Sequence, residues 1–306
     1  MLKATLLGCG GMMPLKERAL TSLMVSLNGR NILIDCGEGT QIQARAFGLS
    51  IKQIDTILLT HYHGDHICGL PGLLLSMGNN GRTEPVLIAG PVGLTRVISA
   101  CRSIAQELPF DLRLLTLEQD TPQPFTSCGL NISYCRLRHS LPCLGYRLDL
   151  PRAGRFEPQK AAALGIPVEY WGVIQKEGCA EYRGKKYTAD MVMTPPRKGI
   201  SLVYATDTRP TEELAALADH CDLLITESMY GDPEKADRAE MTGHMLMTEA
   251  ALTAAQAHVK ALWLTHFSPS MPDPTEWLPL AKELYPDTVL GYDGISTELM
   301  FDRDDC

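Results

Sequence analysis

A chain of 306 residues is long enough to bury a full core and is ordinary for one large α/β domain or two closely joined halves. With 45% hydrophobic and 21% charged residues, its composition excludes a disordered chain. The formal net charge of −8 excludes a protein that coats nucleic acid with its whole surface, since neutralising phosphates takes clustered Lys and Arg. Any RNA partner must therefore be held locally.

The opening segment MLKATLLGCGGMMPLKER is broken by Gly8, Gly10, Gly11 and Pro14 before a continuous apolar stretch develops, so no signal peptide is read there. No run elsewhere approaches the ~18 apolar residues of a membrane span. The ten cysteines (9, 36, 68, 101, 128, 135, 143, 179, 221 and 306) contain no C-x-x-C pair. They read as reduced thiols of a cytoplasmic protein.

Short apolar runs at 3–8, 21–27 and 31–35, the last two flanking Asn28-Gly29, predict a β-meander with a hairpin turn. The run IDTILLTHYHGDH predicts a buried strand at 56–60 that empties into a polar loop, with a helix starting near Leu70. Strand and helix signals then alternate: a strand at 86–90, a helix after Gly93, and strands near 131–138 and 144–148. Residues 151–198 are rich in Gly and Pro and predict an inserted arm or lid with a short helix near 158–164. Residues 151–200 hold nine Lys/Arg against five acids, +4, which leaves −12 elsewhere. Beyond them, SLVYATD, CDLLITES and ALWLTHF predict three apolar strands that each end in a polar cluster. Helices are expected at about 211–218, 245–257 and 275–284. The whole reads as one α/β domain, 1–306, carrying an arm.

His61, His63, Asp65 and His66 form H-x-H-x-D-H at a strand's C-terminal end. Alternate residues of an extended segment point the same way, so His61, His63 and Asp65 can converge, while a turn at Gly64 swings His66 toward a second centre. Imidazole and carboxylate donors without sulfur suit catalytic zinc, with manganese or iron as substitutes. His139, Asp207 and His266 end three later strands and complete a candidate set. Asp207 could instead cap the helix after Thr211, and His220 and His258 read as surface or helix-end residues.

These residues resemble the metallo-β-lactamase superfamily, whose fold is an αββα four-layer sandwich. The blocks DCGEGTQIQ (35–43), GLPGLLLSM, HSLPCLGYRL (139–148), TDTRP (206–210) and LTHFSP (264–269) are similar, nearly end to end, to the ribonuclease Z family of tRNA 3′-processing endonucleases. The resemblance implies one metal held by His61, His63 and His139, another by Asp65, His66 and His266, and Asp207 bridging them. It also implies that Asp65 holds or deprotonates the attacking water and that His244, oriented by Glu227, assists the leaving group. Two zinc ions per subunit, a precursor tRNA substrate and a homodimer follow from the same resemblance. Around the last two residues the chain departs from the family's usual text, with Thr226-Glu227-Ser228-Met229 and His244-Met245-Leu246. Two rivals stay open. One is a hydrolase of the same fold acting on small or cyclic phosphodiesters, sulfate esters or lactones; the other is a non-catalytic, metal-stabilised binding protein.

Overall fold

A computed structural model describes residues 1–302 and divides into two compact units, Met1–Leu150 with Ile200–Met300, and Pro151–Gly199 with Phe301 and Asp302. The larger unit opens with antiparallel β1 (Leu2–Gly8), β2 (Ser22–Leu27) and β3 (Arg30–Ile34). Asn28 and Gly29 turn the β2–β3 hairpin with φ of 50° and 77°, the left-handed pair that matches the twist of the flanking strands. Then β4 (Ile54–Leu58), β5 (Val86–Gly90) and β6 (Leu112–Thr116) join in parallel. Parallel neighbours need crossovers. These are α1 (Thr40–Ala46), α2 (Gly64–Ile67) with α3 (Leu70–Asn79), and α4 (Leu94–Ile104).

The second half starts with β7 (Phe125–Ser127), β8 (Leu130–Leu137) and β9 (Cys143–Arg152), again antiparallel. The smaller unit contributes α5 (Pro158–Ala163), α6 (Val168–Glu177), the hairpin β10 (Cys179–Tyr182) and β11 (Lys185–Thr188), and α7 (Ala189–Val192). The chain continues through β12 (Arg197–Ala205), α8 (Glu212–Ala218), β13 (Leu223–Glu227), α9 (Ala236–Thr242), α10 (Met247–Gln256) and β14 (Leu262–Thr265). It ends with α11 (Leu278–Leu284), β15 (Thr288–Leu290) and β16 (Ser296–Leu299). The strands form two seven-stranded sheets, β16-β1-β2-β3-β4-β5-β6 and β15-β14-β13-β12-β9-β8-β7.

Helices cover the outer face of each sheet. Ala44, Leu70, Leu73, Leu94 and Ile98 pack on Leu33, Ile57 and Ile88 of the first. On the second, Ala218, Met247, Ala250, Ala254 and Ala281 pack on Val203, Leu224 and Leu264. The inner faces meet, and buried Tyr146 donates from its hydroxyl to the Leu59 carbonyl at 2.6 Å while the Leu144 amide donates to the Thr60 carbonyl at 3.0 Å. The architecture is the expected αββα sandwich. Parallel strands β4, β12, β13 and β14 all deliver their C-terminal ends to one edge of it, the usual site location in such sheets.

Several elements differ from expectation. The segment expected to be irregular with one short helix holds three helices and a hairpin around its own core of Ala161, Ile166, Ile174, Tyr187 and Val192. Gly178, expected to break structure, terminates α6 with φ 78°. The strand expected at 56–60 ends at Leu58, because the Thr60 amide leaves the ladder to bond the Asp35 carboxylate at 2.8 Å. The nine described cysteines are all outside disulfides, and Cys306 lies outside the described residues. Among the described residues no helix is long and apolar enough to cross a membrane.

Candidate metal centre and active site

Strand ends assemble the site. His61 and His63 follow β4, His139 follows β8, Asp207 follows β12, Glu227 closes β13 and His266 follows β14. Asp35 and His266, each directly after a strand, and Asp207, two residues past the end of β12, occupy the left-handed region with φ of 59°, 58° and 52°. Non-glycine residues are uncommon there, aspartate less so than histidine, and three at one edge mark a site whose surroundings hold them in place.

The seven expected ligands form two groups joined by Asp207. In the first, His61 Nε2 lies 3.0 Å from His63 Nδ1, which lies 3.2 Å from His139 Nε2. Asp207 Oδ2 closes this group at 3.6 Å from His61 Nε2 and 3.8 Å from His139 Nε2. In the second, His66 Nε2 and His266 Nε2 are 3.2 Å apart, and Asp65 Oδ2 lies 3.6 and 3.3 Å from them. Asp207 Oδ1 stands 3.1 Å from both imidazole nitrogens. The expectation that Asp65 would converge with His61 and His63 is corrected here. The extended segment ends at His63, and the helical turn α2 carries Asp65 and His66 together to the second group.

These groups fit divalent ions. Four donors on a tetrahedron at roughly 2.0–2.1 Å from a central ion lie about 3.3 Å apart, and the observed separations bracket that spacing. Asp207 Oδ1 is buried with no hydrogen-bond partner, as a carboxylate oxygen directed at a cation would be. Electrostatics agree. Burial and the surrounding imidazoles lower the pKa of His61, favouring the neutral form that ligates. Burial also works against a charge on His66, but Asp207 and Asp35 outweigh it and raise its pKa. That is the demand for positive charge that a divalent ion would meet.

Outer contacts set which ring nitrogen faces inward. His66 Nδ1 is 2.8 Å from Asp35 Oδ2, His61 Nδ1 is 3.1 Å from Thr60 Oγ1, and His139 Nδ1 is 3.1 Å from the Gly243 carbonyl. Such partners fix tautomer and orientation. Asp35 was not among the expected site residues, although it obeys the same strand-end rule that singled out Asp207. Asp65 Oδ2 also accepts the Met12 amide at 2.6 Å, which ties the early glycine loop to the centre. Asp207 is no helix cap: Thr211 caps α8 by accepting the Leu214 amide at 3.1 Å.

His244 borders the same cleft, a cavity of about 520 Å³ that His63, Asp65, His139, Asp207 and His266 also line. Gly243 ends α9 at φ 73°, and a side chain there would press on the His139 ring. The His244 Nδ1 lies 3.1 and 3.2 Å from the two oxygens of fully buried Glu227, which also accepts the Thr208 and Met245 amides. Burial opposes a charge on His244, yet Glu227, with Asp207 and Asp65 behind it, pulls its pKa up to about 9. His220 and His258 stand apart and exposed. Their rings stack at 21°, and with Asp219 they form a separate group on the surface, away from the cleft.

The sequence profile of the metallo-beta-lactamase superfamily matches residues 17–91. The chain is 48% identical over 305 residues to a ribonuclease Z of Agathobacter rectalis, covering 99% of this chain and all of that protein. It is 49% identical over 307 residues to a ribonuclease Z of Lachnoclostridium phytofermentans, covering the whole of both. Among solved structures, the short form of human tRNase Z superposes with a TM-score of 0.71 at 23% identity, over 98% of this chain and all of that one. Sequence kinship along the full length, with the shared sandwich, places this chain in the ribonuclease Z family on the metallo-β-lactamase fold.

Proposed function

We propose that this cleft removes 3′ trailers from precursor tRNA by endonucleolytic hydrolysis, using two zinc ions, with manganese or iron as substitutes. The observation that carries this is the four-donor group His61, His63, His139 and Asp207 beside the three-donor group Asp65, His66 and His266, whose imidazoles also face Asp207 Oδ1 at 3.1 Å, with the His244–Glu227 pair on the rim of the same cleft. Bound divalent ions supply Lewis acidity there, activating water at neutral pH and offsetting phosphate charge.

The chain's own residues do the rest. Asp65, held by the Met12 amide, is the carboxylate placed to orient the attacking water and take its proton. Glu227 engages Nδ1 of His244, which leaves Nε2 as the ring atom for substrate. A cationic His244 then stabilises the phosphoryl oxygens and protonates the departing 3′ oxygen. No nucleophilic side chain is required. Water attack with departure of the 3′ oxygen leaves a 3′-hydroxyl on the tRNA and a 5′-phosphate on the trailer.

We read residues 151–198 as an arm of a single-domain protein that binds tRNA. Supporting this, Arg183, Lys185 and Lys186 are exposed around the β10–β11 turn, on a chain that is otherwise acidic. A cytoplasmic homodimer is part of the same proposal. Hydrolysis of small phosphodiesters is the second reading, since the metal groups alone serve either substrate. Purified zinc-loaded protein, incubated in parallel with 3′-extended precursor tRNA and bis(p-nitrophenyl) phosphate, separates them. Single cleavage after the discriminator base, absent in Asp207→Ala, supports processing. Turnover of the small diester with untouched tRNA moves the assignment to a general phosphodiesterase.

A further inference from the structure

We propose that Arg209 is a positioning residue for hydrolysis, clamping the His244 turn against the turns that carry Asp207 and His139. The inference rests on the role given to His244 above. Arg209 Nη1 donates to the His244 carbonyl at 2.5 Å and to Glu249 Oε2 at 2.7 Å, and Nη2 donates to Glu249 Oε1 at 2.5 Å. Its Nε donates to Glu240 at 2.8 Å, and Glu240 also accepts from Arg138, the neighbour of His139. The Arg209 amide meanwhile donates to the Arg138 carbonyl at 3.1 Å. The guanidinium thus holds the His244 turn directly and reaches the His139 segment through Glu240, while the Arg209 amide bonds Arg138 and residue 209 itself follows Asp207, so one residue links three segments that each supply a site residue.

Geometry argues against a direct part in substrate binding. The Arg209 side chain is 11% exposed, it lies outside the residues lining the cleft, and each of its three nitrogens already donates. Glu249 adds leverage, because the same carboxylate accepts the Leu246 amide at 2.9 Å, two residues beyond His244. Only a planar fork reaches two carboxylates and a carbonyl at once; a lysine ammonium at this position meets one or two of them.

The test compares wild type with Arg209→Ala, Arg209→Lys and His244→Ala on precursor tRNA. It measures kcat and KM, bound zinc by mass spectrometry, and the effect of sub-denaturing guanidinium. Loss of an outer partner typically costs about 10- to 100-fold in activity, so Arg209→Ala should lose that much in kcat with KM within about threefold of wild type. Zinc content should stay at the wild-type level. Added guanidinium should restore part of the kcat of Arg209→Ala and none of that of His244→Ala. Should Arg209→Ala fail to fold, Arg209→Lys carries the same readout, with kcat lowered and KM held. A wild-type kcat in both variants, a loss confined to KM, or equal guanidinium response in all three variants overturns the proposal. Wild-type protein that leaves precursor tRNA uncut would instead sink the functional assignment on which it rests.

Discussion

Asp35→Asn is a one-atom change with a specific expected consequence. Asparagine tolerates the left-handed backbone at φ 59° as aspartate does, so the fold around residue 35 should survive. The fully buried carboxylate accepts from the Thr60 amide at 2.8 Å through Oδ1. Through Oδ2 it meets the Thr60 hydroxyl and His66 Nδ1, both at 2.8 Å. Asparagine has one acceptor for these donors. If its carbonyl stays on the Thr60 amide, its NH2 faces His66 Nδ1 and demands a proton-free nitrogen there. That moves the proton to Nε2, the atom that must be bare to ligate. If the amide flips instead, a buried Thr60 N–H goes unpaired, at about 1–3 kcal/mol. Outer-partner losses of this kind weaken metal binding by roughly 10- to 100-fold, or ~1.4–2.7 kcal/mol at about 1.36 kcal/mol per decade. Zinc titration against a chromophoric chelator should therefore show the affinity of the Asp65–His66–His266 group lowered by that factor, with the His61–His63–His139 group close to wild type. Wild-type affinity at both groups in Asp35→Asn would refute the tautomer argument.

Gly11→Ala places a methyl group 2.6–2.9 Å from the His266 ring; the ring must move, and both zinc affinity and kcat should fall although residue 11 contributes no ligand. In metal-free protein, the raised pKa of His244 gives a signed pH dependence. Its pairing with Glu227 stabilises the fold fully below the ordinary histidine value of 6.5, and that contribution is lost as pH rises through about 9. Glu227→Gln should flatten the melting temperature over that window, and an unchanged slope would count against the pairing. Reversing Arg183, Lys185 and Lys186 to Glu should raise KM for precursor tRNA and make binding less salt-dependent, while turnover of bis(p-nitrophenyl) phosphate holds steady.

Much of the site was legible because its candidate ligands obey local rules. His61, His63, Asp65 and His66 crowd one loop, and His139, Asp207 and His266 each follow an apolar strand whose pattern announces its end. The division of these ligands into groups was less legible from residue spacing. It depends on backbone changing from extended at His63 to helical at Gly64, and an extended segment would have sent Asp65 the other way. Asp35 was obscured because D-C-G-E-G reads as a turn, and its partners Thr60 and His66 lie 25 and 31 residues away. In the arm, Pro167 and Gly178 looked like breakers but punctuate α6, one before its first turn and the other after its last. Glycine content alone does not separate a helix boundary from an irregular loop.

The most direct measurement is the chemical identity of both new ends after cleavage of a 3′-extended precursor tRNA. Water attack at the metal-binding cleft predicts one cut after the discriminator base, with a 3′-hydroxyl on the tRNA and a 5′-phosphate on the trailer. A 2′,3′-cyclic phosphate on the tRNA with a 5′-hydroxyl on the trailer would mean that the ribose 2′-oxygen, not water, attacked the phosphorus, and would contradict the assignment.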